Sequence, residues 1–183
     1  MLAPTYHRHN GFYLHTDLGF ASASTSGTTK FGGRDFSFSG AGGSFAIALG
    51  GAVAHNLIVF GELAVVAVEK PLVKVDGREV SAGVRPQSFG VGGIGPGVSY
   101  YFDPSNIFIS ASLLVSSLTI TDVDGVSQTT AGGPGLALKA GKEWWVSKDW
   151  GLGFIVGVYA SSSKDKKDEV DDPATWQSAQ RFP

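Results

Sequence analysis

Apolar and polar residues alternate with a period of two through most of this chain, and that period is the signature of half-buried β-strands. In GFYLHTDLGF, Phe12, Leu14, Leu18 and Phe20 share one face while Tyr13, His15, Asp17 and Gly19 share the other. SFAIALGGAV sets Phe45, Ile47, Leu49 and Val53 against Ser44, Ala46, Ala48 and Gly50, and LIVFGELAVVAV sets Leu57, Val59, Leu63 and Val65 against Glu62. FGVGGIGPGVSYYF alternates Ile94, Val98 and Tyr100 with Ser99 and Tyr101, and its Gly-rich first half is a place for a bulge. In IFISASLLVSS the outer set is Ile107, Ile109, Ala111, Leu113 and Val115, and the inner set is Phe108, Ser110, Ser112, Leu114 and Ser116. GLALKAGKEWW places Leu136, Leu138 and Ala140 opposite Ala137, Lys139, Gly141 and Glu143. WGLGFIVGVYA places Leu152, Phe154, Val156 and Val158 opposite Gly153, Ile155, Gly157 and Tyr159, and an eighth strand is expected from about Thr175 and Trp176.

The connections alternate in length. Short turns fall at Ala54 to Asn56, Asp103 to Asn106 and Val146 to Asp149, and long polar loops at about 25–37, 69–87, 119–132 and 162–174. Short turns on one side and longer loops on the other are the arrangement of a membrane barrel. Aromatic residues gather beside both kinds of connection: Phe102, Trp144, Trp145 and Trp150 near short turns, Phe36, Phe38, Phe89 and Trp176 near long loops. They read as two interfacial girdles.

With this strand pattern, its Gly and aromatic placement and the turn GVSYYFDPSN, the chain from Gly11 onward resembles the small eight-stranded outer-membrane barrels, similar to the transmembrane domain of outer-membrane protein A and to outer-membrane proteins X and W. The expected fold is therefore all-β: an up-and-down antiparallel transmembrane β-barrel of about eight strands, with an arm at 1–10 and a single domain at 11–183. The resemblance implies a bacterial outer-membrane location and no cofactor, and it carries no shared biochemical activity. Expected partners are outer-membrane lipid around a monomer, with lipopolysaccharide or surface ligands as candidates for the long loops.

Composition narrows the alternatives. Charged residues make up 16% of the 183 residues, against roughly 25% in an average soluble domain. A net charge of −2 without a basic segment argues against nucleic-acid binding, and the absence of cysteine excludes disulfides and thiolate chemistry. Every apolar run is cut by Gly, Ser, Glu or Lys before the roughly 18 residues of a membrane helix. The opening MLAPTYHRHNG lacks the basic and apolar regions of a secretory signal. An export signal is thus not expected within this chain.

Candidate chemistry is sparse. GVGGIG at 90–95 matches the dinucleotide fingerprint, but PGVSYYF follows it where a helix should open, so a Gly-rich strand is expected instead. Asp122-Val123-Asp124-Gly125 resembles the start of a calcium loop without its later oxygen ligands and reads as a hairpin turn. The Lys/Asp run at 164–172 reads as a solvated loop tip. His7, His9, His15 and His55 all fall at the N-terminus or the short-turn end, which argues against a lipid-modifying enzyme. The informative polar residues are Glu62, Lys139 and Glu143, joined by Asp17 and His15. Turned toward lipid, a Lys near the midplane costs about 2–4 kcal/mol. These residues are therefore expected to face inward as a lumen-filling salt-bridge network, with a proton or ion path as its rival.

The resulting expectation is a non-enzymatic outer-membrane barrel with a structural or surface-interaction role. One rival is a barrel that transports small hydrophobic molecules, which inward Phe60, Phe108 and Leu114 favour. Another is a soluble lipocalin-like binding barrel, which the small and polar inner faces disfavour. The last strand is expected to be short, because Arg181 and Pro183 interrupt it. Extension by a few alternating residues ending in Phe, with an upstream export signal, is expected to raise the folded yield in detergent.

Overall fold

A computed structural model describes residues 11–28, 33–81, 86–164 and 175–182, the last for their backbone path only. The strands are β1 (Phe12–Thr28), β2 (Asp35–Ala54), β3 (Leu57–Glu69), β4 (Leu72–Val75), β5 (Arg78–Glu79), β6 (Ser88–Phe102), β7 (Ile107–Thr121), β8 (Ser127–Thr129), β9 (Gly133–Trp145), β10 (Gly151–Lys164) and β11 (Thr175–Phe182). The long strands pair in the order β1-β2-β3-β6-β7-β9-β10-β11, always antiparallel. Because β1 pairs with both β2 and β11, the ring closes. The N-terminal arm, and the loop tip expected at 164–172 apart from Lys164, lie outside the described residues.

Closure is uneven along the barrel's height. β11 contacts β1 only at Ser22–Thr28 and β10 only at Gly157–Lys164. Among the described residues no strand lies between Phe12–Ala21 of β1 and Gly151–Val156 of β10. Among the described residues, then, the wall is paired all the way round in the half nearest the loops.

Turn chemistry fixes the other connections. Asn56 and Asn106, at φ 58° and 55°, close the two short turns before β3 and β7; Asn tolerates this left-handed region better than most residues. Asp76-Gly77, at φ 49° and 77°, joins β4 to β5; two consecutive positive values are the mark of a tight hairpin turn matched to strand twist.

Several expectations need correction. The loops at 25–37, 69–87 and 119–132 are shorter than their polarity indicates. β1 and β2 stay paired out to Thr28 and Asp35, β4 adds to β2, and β8 adds to β7. A ladder pairs backbone groups whatever the side chains, so Ser- and Thr-rich strand continues where composition reads as loop. β6 keeps one register with β7 through its Gly-rich half, and the irregularity instead falls at Ala52 and Ala54 of β2.

The exterior carries an apolar belt. Phe12, Leu18, Phe20, Leu113, Val115, Leu152 and Phe154 are all more than half exposed. It ends where β1 changes to outward Ser22, Ser24, Ser26 and Thr28. Beside the short turns, Phe102, Trp144 and Trp150 project outward as an aromatic girdle. The second girdle is not formed by Phe38 and Phe89, which are buried inside with ring centroids 6.4 Å apart. Phe36 also packs against the inner cluster. Strand parity, not distance from a loop, decides their direction.

The interior is more apolar than its Gly, Ala and Ser residues on β1, β2 and β9 indicate. Small side chains on those strands face large ones on β3, β6 and β7. One cluster fills the loop-side half with Ala21, Ala46, Val66, Phe89, Leu114 and Tyr159. A second fills the turn-side half with Ala48, Ile58, Phe60, Tyr101 and Phe108. Val73 of β4 belongs to this cluster, and Val80, just after β5, packs against it.

Gly97 makes room for this filling: a Cβ there would lie 2.4 Å from both the Phe60 ring and Ser112 Oγ. Gly97→Val is therefore expected to destabilise the barrel by about 1–3 kcal/mol through overpacking, and Phe60→Leu in the same chain should restore part of the loss; urea titrations in detergent measure both. Spin labels at Leu113 and Phe154 should be relaxed by oxygen dissolved in the apolar phase and be insensitive to aqueous reagents.

Candidate functional site in the barrel interior

The period-two alternation that builds the outer belt sends the odd-numbered residues of β1 and β9 inward, and with them the charges. Lys139 stands on β9 opposite Gly157 of β10 and Ser110 of β7. Its Nζ donates to Asp17 Oδ2 of β1 at 3.0 Å and to Glu62 Oε1 of β3. The second Glu62 oxygen accepts the Ser112 hydroxyl of β7. The ammonium thereby ties together β9, β1 and β3, and Glu62 extends the link to β7. The Glu62 side chain is 2% exposed and that of Lys139 10%. Burying charge costs several kcal/mol per ion and is tolerated only with pairing and hydrogen bonds to the remaining positions, which this arrangement provides.

A second polar group lies toward the short turns. The Tyr101 hydroxyl donates to Glu143 Oε1 at 3.0 Å, and His15 Nδ1 is 3.6 Å from the same oxygen. The Tyr13 hydroxyl is 2.8 Å from His15 Nδ1 and 3.4 Å from the Tyr101 hydroxyl. Phe108 packs beneath, its ring centroid 5.1 Å from Tyr101 and 5.8 Å from His15. On the loop side of Lys139, the hydroxyls of Ser116 and Tyr159 bond to each other.

The five polar residues singled out in the sequence thus stand in two groups. Lys139 meets Asp17 and Glu62, whereas Glu143 meets Tyr101 and His15. Sequence reasoning left out Ser112, Tyr13 and Tyr101 as partners; their inward parity on β7, β1 and β6 was the available signal. A cavity of about 40 Å³ borders Lys139, lined by Asp17, Ala46, Ala64, Ala137, Gly157 and Tyr159. That is space on the scale of ordered water.

The remaining motifs take structural roles. GVGGIG lies within β6, paired with β3 throughout and with β7 from Gly90 to Ile94, and strand rather than helix follows it. Asp122 Oδ1 accepts the backbone N–H groups of Asp124 and Val126 at 3.0 and 2.9 Å, so this carboxylate holds its own hairpin turn. His55 Nε2 and Asn56 Nδ2 lie 3.1 and 2.7 Å from Asp103 Oδ2, which links two short turns.

A ring of eight long antiparallel strands, greasy outside and ion-paired within, is a small transmembrane β-barrel of the outer-membrane type. Among solved structures the chain is similar to Neisserial surface protein A, with 14% identity, a TM-score of 0.51, and coverage of 92% of this chain and 97% of that one. It is also similar to Ail, the attachment invasion locus protein of Yersinia pestis, with 14% identity, a TM-score of 0.38, and coverage of 94% and 98%. No family model and no curated protein matches the sequence.

Removing Lys139 while leaving its carboxylates should be costly. Lys139→Met is expected to lower stability by about 3–5 kcal/mol, because it strands buried charge. Asp17→Asn should cost less, since Lys139 keeps Glu62. Urea midpoints of the two variants in one detergent test that order, and equal midpoints would contradict it.

Proposed function

We propose that this chain is a bacterial outer-membrane protein whose barrel anchors and displays its long loops, with a structural or surface-interaction role and no catalysis. The observation that carries this reading is an apolar exterior belt around an interior filled by its own side chains. An exposed belt of this size on a folded protein calls for an apolar solvent or partner, and lipid covers every side of a ring at once. The same belt argues against the soluble lipocalin-like alternative, in which bulky apolar residues would line a cup and leave the exterior polar.

Phe60, Phe108 and Leu114, the inward residues that favour transport of small hydrophobic molecules, are each at most 5% exposed. They pack against neighbouring side chains and occupy the volume a passenger would need. Display therefore fits the interior better than transport does. Lipopolysaccharide or another surface ligand is the proposed partner class for the loops, and a monomer is the proposed state.

Refolded into detergent, the chain is expected to migrate on a gel in a heat-modifiable way and to give no conductance steps in planar bilayers. Binding to vesicles containing lipopolysaccharide should fall when the tips at Asp76–Glu79 and Val123–Val126 are replaced by Gly-Ser, with migration unchanged. Transfer of a fluorescent apolar ligand across loaded vesicles would instead favour transport.

A further inference from the structure

The two lysines of β9 meet opposite conditions. Lys139 turns inward and is neutralised by Asp17 and Glu62. Lys142 turns outward: its ladder partners are Ile107 of β7 and Phe154 of β10, both exposed, and cross-strand partners share a face. Among the described side chains of the apolar belt, Lys142 is the one charge on the lipid side. No carboxylate among the described residues lies within ion-pair distance of it. The inward ammonium thus has its counter-charge from the chain, and the outward one takes none from the described part.

The Lys142 ammonium does not rest on the belt. Its Nζ donates to the Ser105 carbonyl oxygen in the turn between β6 and β7, and it lies 5.3 Å from the centre of the Trp144 ring. That turn is fixed by its own bonds. The Ser105 hydroxyl donates to the Phe102 carbonyl and accepts from the Ile107 N–H, and the Asn106 carbonyl accepts the N–H of Glu143. The Ser105 carbonyl is therefore a set anchor, and it holds the charge at the level of the girdle of Phe102, Trp144 and Trp150. Aromatic girdles mark the depth of lipid headgroups, and a lysine stem covers apolar surface while its charge reaches that depth. An ammonium has three N–H donors. Ser105 takes one, which leaves donors at the depth where phosphodiesters lie.

The neighbouring surface suits an acyl chain. On the same outward row, two residues farther from the turn, Ala140 stands between Ile109 and Val156, both exposed. A methyl group flanked by two larger side chains leaves a shallow furrow that leads from the ammonium into the belt.

We propose that Lys142, with Ser105 and Trp144, forms a binding site for a phospholipid of the leaflet on the short-turn side, its phosphodiester on the ammonium and one acyl chain over Ala140. This rests on the reading of the belt as lipid-covered and is independent of what the loops bind.

The full chain refolded in dodecyl maltoside, a detergent without phosphate, is titrated at fixed micelle concentration with phosphatidylglycerol brominated in its acyl chains, which quenches nearby tryptophans. Saturable quenching is expected. The apparent affinity should be about fivefold weaker in Lys142→Met, the share of one interfacial cation, and should stay near that of the parent chain in Lys142→Arg. Brominated diacylglycerol, which lacks the phosphate, should bind the parent chain no better than it binds Lys142→Met. Equal phosphatidylglycerol affinity in the parent and Lys142→Met, with both heat-modifiable on gels, would overturn the site and leave the membrane reading standing. Displacement of the lipid by inorganic phosphate would overturn the lipid assignment in favour of a free anion. A chain that gives neither a heat-modifiable band nor quenching would overturn the membrane reading, and the site with it.

Discussion

Backbone hydrogen bonding in a medium that offers no substitute for it governs this molecule. In hydrocarbon an unpaired N–H or C=O costs several kcal/mol, so strands are admissible there only as a ring in which each is bonded on both sides. That requirement explains the long ladders of β1 with β2 and of β3 with β6, and the placement of the β2 irregularity at the barrel's rim.

Once the ring is closed, its interior becomes a narrow column that side chains must fill. Size complementarity does most of this: glycines and alanines on some strands leave space for Phe60, Phe89, Phe108 and Tyr159 on others. The charged layers lie in the middle and the turn-side half, where Lys139 and Tyr101 join strands that are not neighbours in the ring. Such cross-lumen bonds resist sliding of opposite walls past one another, which ladder bonds between adjacent strands do not.

Much of this was legible in the alternation. Inward and outward residues of IFISASLLVSS and GLALKAGKEWW follow from parity, and so does the inward direction of Lys139, because the opposite choice puts an ammonium in lipid. What parity does not give is depth or partner. Glu62 and Glu143 are both inward acids, yet only the tilt and register of β3, β6 and β9 decide that Glu62 reaches Lys139 while Glu143 reaches Tyr101. Phe38 and Phe89 depart from the expected girdle for a different reason: the face that strand position dictates overrides nearness to a loop. Ladder pairing above the belt was invisible because Ser and Thr look alike in loops and in solvated strands.

The hairpin of β4 and β5 gives the outer face of this barrel an uneven freedom to change over evolutionary time. Val73 and Val80 belong to the packed interior although they flank a surface turn, whereas the tip at Val123–Val126 is exposed and held by its own Asp122. Drift and insertion are therefore cheap at the second tip. At the first they are confined to the few residues around Asp76-Gly77, beyond which variation begins to loosen the packing of Val73 and Val80 on the interior.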